Sequence, residues 1–226
     1  MASKLRLTLV VLLIGFMIQA SIESYIYLSH NFELPFATSI FILGPSITFI
    51  GLVIRWIGRH EWDEIFRQRF RHSHRTFFLS IITMALAILP VVWYGYRAAE
   101  PIPPLVQWGF GAAITATLLL TFATYALIAY DLTAVVGRII LLIALIWSVA
   151  VSYWVGQALG QELNAFVLLA QNHSMDITAI GASIASLEPY LALTNILLVI
   201  VFIDAYLRAN PRSLEPPATP VRPLAL

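Results

Sequence analysis

Six long apolar runs, separated by shorter and wetter stretches, leave this chain few ways to fold. Crossing roughly 30 Å of hydrocarbon takes about 20 helical residues at about 1.5 Å each, because lipid offers the backbone no hydrogen-bond partner and a helix satisfies its own. The runs that meet this requirement lie at Leu5–Leu28, Phe36–Ile57, Thr76–Tyr96, Leu105–Tyr130, Val135–Val155 and Pro189–Leu207. The chain is 60% hydrophobic and 11% charged, with a mean hydropathy of +0.84. A soluble domain carries about a quarter charged residues. The expected fold is therefore all-α, a polytopic integral membrane helix bundle with six transmembrane helices. Residues 1–208 form one membrane domain, and residues 209–226 form a proline-rich tail that is extended and largely unpacked.

Lys4 and Arg6 ahead of the first run, with "IQAS" behind it, imitate a secretory signal peptide. Ile18 suits a cut after Ala20 poorly and the run is long enough to cross, so it is read as a retained helix. Cytoplasmic loops are enriched in Lys and Arg. With the amino terminus inside, twelve of the thirteen basic residues fall on the inner side and only Arg97 falls outside. This pattern predicts both termini cytoplasmic, in the cell (plasma) membrane. The bilayer is then the first partner, and nucleic acid is not expected.

Residues 55–75, "RWIGRHEWDEIFRQRFRHSHR", are the wettest part of the chain. Trp62, Ile65, Phe66, Phe70, Ser73 and Phe77 follow helical spacings of three and four, with Arg67, Arg71, His74 and Arg75 on the other side. The pattern predicts a cytoplasmic interfacial amphipathic helix over 59–75, with Trp62, Phe66 and Phe70 in the acyl boundary and Arg67, Arg71 and Arg75 among anionic headgroups. The same basic face could instead dock an acidic surface of a cytoplasmic partner. His60, His72 and His74 are expected to be solvated.

The fourth span begins with small residues at Gly109, Ala112, Ala113 and Ala116, expected to pack closely against a neighbour, and continues with Thr117, Thr121 and Thr124. Pro45 and Pro90 lie within spans, where proline frees a carbonyl and kinks a helix. The acids sit at span ends, Asp131 and Asp204 inside, Glu23 and Glu188 outside, and the most polar deep residues are Thr194 and Asn195. With no charge placed at mid-membrane, a proton pump or voltage sensor is not expected. All five histidines lie at or beyond span boundaries, which disfavours a haem held within the bundle.

On the outer side, residues 156–188 are too polar to span and long for a loop. They are expected to form a helical hairpin turning near Asn172, or a re-entrant segment. His173 and Asp176 lie three apart there, with Glu162 on the approaching arm and His30 near the outer end of the first span. Imidazole with carboxylates suits a metal.

No motif implies a cofactor, and the absence of cysteine excludes thiolate chemistry. With no nucleophile, acid pair or phosphate loop in view, the leading expectation is a non-catalytic accessory or structural subunit of a larger membrane complex, packed against membrane-protein partners or further copies of itself. The first alternative is a permease-type transporter subunit, coupled through the 59–75 helix, with a path past Thr121, Thr124, Thr194 and Asn195. The second is an outer-face metal-binding redox or enzyme subunit using His30, His173, Asp176 and Glu162.

Overall fold

The structure is a computed structural model that describes residues 3–29, 37–96, 102–172 and 186–209, and every regular element among them is helical. These helices are α1 (Ser3–Ser29), α2 (Ala37–Ile57), α3 (Arg59–Tyr96), α4 (Pro104–Ala129), α5 (Val135–Gln161), α6 (Leu163–Asn172) and α7 (Glu188–Arg208). Five of them, α1, α3, α4, α5 and α7, are long and apolar enough to cross a membrane; the described apolar part of α2, Leu43–Ile57, is shorter. The chain is thus a helical membrane bundle.

Punctuation residues set several boundaries. Gly58 separates α2 from α3. Prolines near the starts of α4 and α7 use a position where the missing N–H costs nothing. Asp204 of α7 accepts the Ala134 N–H at 2.8 Å and so caps the start of α5 from another helix, while its second oxygen takes Arg208 Nε at 3.0 Å.

The helices pack in the order α2, α1, α7, α5, α4, α3, with α6 laid on α3. The first and last helices meet along a seam of seven-residue spacing. Leu9, Phe16 and Glu23 are buried on α1, and Glu188, Asn195 and Phe202 on α7. A repeat of seven keeps one face of each helix turned toward its partner. Arg6 closes the Ala209 end of the seam by donating from Nε to the Ala209 carbonyl at 3.0 Å.

Elsewhere glycine sets the helix separation. A Cβ on Gly111 would sit 2.5 Å from the Gly156 carbonyl oxygen, and one on Gly156 would sit 2.6 Å from that of Gly111. The close approach expected at Gly109 falls instead at Gly111: nothing lies within 4 Å of a Cβ added at Gly109. Small residues occupy more than one face of α4, and composition alone does not select which face meets α5.

Two apolar clusters fill the bundle. The larger gathers α1, α2, α3, α4, α5 and α7 around Phe16, Tyr125 and Phe202, and the smaller joins Ala87 of α3, Phe110 of α4, and Leu163 and Val167 of α6. A turn at Glu162 separates α5 from α6, and α6 packs on α3 and α4 through Leu163 and Val167 and ends at Asn172. Phe166 meets Phe110 with ring centroids 5.5 Å apart, and Gln171 Nε2 donates to the Tyr94 carbonyl at 3.2 Å. The expected turn near Asn172 leads into residues outside the described ones.

Separate elements were expected for 59–75 and the third span, yet α3 runs unbroken through both for 38 residues, about 57 Å of helix. Phe77, shared by both patterns, is buried in the larger cluster.

Candidate functional site

Two regions of buried polar groups stand out, one on the α1–α7 seam and one between α2, α3 and α4. On the seam, Asn195 Nδ2 donates to both carboxylate oxygens of Glu23, at 3.0 and 2.8 Å. Glu23 is 8% exposed and Asn195 5%. Glu23 lies six residues short of the end of α1, about 9 Å below it, and Asn195 lies seven residues into α7, about 10 Å below its start. The two side chains thus meet well inside the bundle rather than at its rim. Glu23 is drawn in because it continues the buried face of Phe16, two turns along α1.

Glu188 stands two turns outward from Asn195 on the same face of α7. It is 0% exposed, and neither carboxylate oxygen has a hydrogen-bond partner among the described residues. It shares the α1–α7 seam with Glu23, which is buried on the facing helix. Its place in the first turn of α7 lets the helix dipole offset part of its charge. Helices in their first turn favour acids, but burial of a carboxylate without a donor is costly and has to be balanced by something else.

Inward of this cluster the seam is closed. Phe16 and Phe202, two turns below Glu23 and Asn195, have ring centroids 5.2 Å apart, and Tyr125 of α4 packs edge-on against Phe16 at 4.9 Å. Nearby, Trp147 Nε1 and the Thr194 hydroxyl both donate to the Tyr190 carbonyl, at 3.2 and 2.8 Å, and Trp154 meets the Tyr190 ring edge-on. Glu188, the first residue of α7, lies beyond Tyr190 toward that end of the helix.

The second region is a ladder of hydroxyls. Thr76 and Thr124 share a hydrogen bond of 2.8 Å, and Thr117 donates to Thr83 at 2.9 Å, so α3 and α4 are joined twice. At one end of the ladder the Arg55 guanidinium, buried between α2 and α3, donates to Ser73. Arg55 was expected at the cytoplasmic end of the second span, and it stands in the last turn of α2. His74, expected to be solvated, is half-buried and meets Phe78 edge-on.

Of the four residues expected to line a path, Thr194 and Asn195 are buried on α7 and only Asn195 joins the acid cluster. Thr121 donates to Thr117 O and Thr124 to Leu120 O within α4, both at 2.8 Å, and Thr124 belongs to the α3–α4 ladder. Of the expected metal ligands, Glu162 forms the turn between α5 and α6, whereas His30, His173 and Asp176 lie outside the described residues. Among the described residues no group of three His, Cys, Asp or Glu side chains comes together. On α3, Arg71 and Arg75 are exposed, and the side chains of Arg67, Trp62, Phe66 and Phe70 lie outside the described ones.

The Glu23–Asn195 pair escaped the sequence reading because Glu23 was assigned to a span end by its position in the run. The spacing of seven between Glu188 and Asn195 is a signal that was present, since it sets both on one face. Comparison with known families, characterised proteins and solved structures finds no match.

Proposed function

We propose that the chain is a six-span protein of the cell membrane with both termini cytoplasmic, and that it works as a permease-type protein for a cationic solute at Glu23, Asn195 and Glu188. Counting α2 as the sixth span is supported by its 21 residues, about 31 Å of helix. The orientation is supported by the one-sided distribution of arginine.

The observation that carries the functional reading is Glu188, wholly buried with both carboxylate oxygens unpartnered, on the same seam as a second buried acid, Glu23. Ionisable groups inside a membrane bundle are costly and mark ion pathways or binding centres. A purely structural bundle gains nothing from such a pair, and two leucines of similar volume would pack the seam better. The aromatic seal of Phe16, Tyr125 and Phe202 separates the centre from the inner face, as a carrier that opens to one side at a time requires.

The test is reconstitution in liposomes and measurement of proton, sodium, potassium, calcium and magnesium flux. Wild-type vesicles should exceed empty ones for at least one of these ions, and Glu188→Gln should return that flux to the empty-vesicle level. Equal flux in wild-type and empty vesicles for every ion tested would end this reading.

A second reading, an accessory subunit of a membrane complex, is favoured by α3. Only 17% of its apolar window is buried, against 28 to 39% for the other four long apolar helices. Mild extraction should then recover a stoichiometric partner that is lost when Leu86, exposed on α3, is changed to Arg.

A further inference from the structure

A cleft of about 80 Å³ opens between the start of α4 and the end of α5. Gln107 and Gly111 stand one turn apart on α4, as do Gln157 and Gln161 on α5, and all four line it. Glycine brings the two backbones into contact there: a Cβ on Gly160 would lie 3.1 Å from the Gln107 carbonyl oxygen and 3.2 Å from Gly111 Cα. A cleft whose walls are two packed backbones is preformed, so little ordering entropy is lost when it is filled. Its described lining is polar but uncharged, and a phosphate or an ammonium group would enter without a counter-ion. The side chains of Gln107, Gln157 and Gln161 hydrogen-bond to no other described residue, and each carboxamide can both donate and accept. Trp108, also on the lining, is 64% exposed, the most exposed indole among the described residues. A sugar ring answers both features: its hydroxyls donate and accept, and its C–H face is an apolar surface that an indole can cover.

We propose that this cleft binds one neutral sugar ring, with Trp108 against its C–H face and Gln107, Gln157 and Gln161 on its hydroxyls. Volume sets how much is held. The cleft's 80 Å³ far exceeds what one ordered water needs, yet falls well short of the roughly 300 Å³ that encloses a drug-sized ligand. One ring is gripped, and whatever it is attached to stays outside. The site lies in the opening turns of α4 and the closing turns of α5, where a membrane helix meets the headgroup layer. A sugar at that depth belongs to a glycolipid or arrives free from solution.

The test uses the full chain in phosphatidylcholine nanodiscs, prepared through a detergent without a sugar headgroup, because a maltoside would fill the site. One arm adds monoglucosyl or monogalactosyl diacylglycerol to the bilayer, and the other adds free methyl glucoside or methyl galactoside. Native mass spectrometry and thermal unfolding read the bound state. At least one arm should show saturable binding of one ligand per chain with a raised unfolding temperature; binding of the lipid alone assigns the ring to a glycolipid, and binding of the free glycoside assigns it to solution. Trp108→Ala and Gln157→Leu should each weaken binding by roughly tenfold. Trp93→Ala, which removes an exposed indole on α3, should leave it unchanged. Both cleft variants should unfold as the wild type does, since one side chain is exposed and the other hydrogen-bonds to no described residue. If one of them does not fold, the other decides. Absence of binding in both arms, or binding that the folded cleft variants leave unchanged, overturns the inference.

Discussion

Gly156→Ala is the most direct probe of how this bundle holds together. The added methyl carbon would overlap Thr115 Oγ1 and lie 2.6 Å from the Gly111 carbonyl oxygen and 3.1 Å from Thr115 Cβ. The carbonyl is backbone and has nowhere to go. Thr115 is held by its own bond to Gly111 O at 2.9 Å and reaches across to Ser152 O at 3.3 Å. Relief requires α4 and α5 to move apart, and such overpacking costs about 1–3 kcal/mol. Breaking the contact to Ser152 adds about 0.6 kcal/mol, typical of an interhelical hydrogen bond in a membrane. Alanine returns about 0.8–1 kcal/mol through its higher helix propensity. The net destabilisation is about 2 kcal/mol, roughly a thirtyfold fall in the folded-to-unfolded ratio. Gly109→Ala is the matched control, because it has the same propensity gain and open space around the new methyl group. Reversible unfolding in mixed micelles of mild detergent and sodium dodecyl sulfate, followed by tryptophan fluorescence, reads both variants on one scale. The control should be as stable as the wild type or more so, and the two variants should differ by about 3 kcal/mol. If they shift together, α4 and α5 do not meet at Gly156 and the helix order described above is wrong.

Three further outcomes follow from named contacts. Phe16→Ala removes a buried ring that touches Tyr125 and Phe202, and should cost about 3–5 kcal/mol in the same assay, with Phe16→Leu costing clearly less; equal small effects would show that the inner seal is loosely packed. Asp204→Ala deletes the cap on α5 and the Arg208 pair, and should destabilise by about 1–2 kcal/mol, while Asp204→Asn, which keeps an acceptor for Ala134 N–H, should recover part of the loss. Because the chain has no cysteine, a single cysteine at Gln68 is a clean topological reporter. It should resist a membrane-impermeant thiol reagent in intact cells and react once they are opened, and modification in intact cells would invert the orientation.

The bundle itself was legible in the sequence because its cause is local. Run length, the absence of polar interruptions and the boundary glycine and prolines each act within a few residues. The α3–α4 contact was half legible: Thr117 and Thr124 mark a bonding face, but their partners Thr83 and Thr76 belong to another helix. Gly109 and Gly111 are indistinguishable in type, and only the placement of α5 shows which one is pressed against a backbone. The arginines of the stretch 55–75 are alike in type, yet Arg55 is buried and Arg71 is not. Their places on α2 and α3 decide that difference, since Arg55 faces Ser73 of the neighbouring helix.

Taken alone, the amino-acid sequence determined that this chain is helical, that it belongs in a membrane, and which residues each helix presents on one face. These follow from backbone hydrogen bonding in hydrocarbon and from the helical period, and neither depends on distant residues. Only the tertiary structure decided that α1 lies against α7 and that Glu23 therefore meets Asn195 across 172 positions of sequence. Pairing of remote helices is selected by the fit of whole faces, a property of both partners together. No stretch of either helix contains it, so the acid cluster came into view only when the two faces were joined.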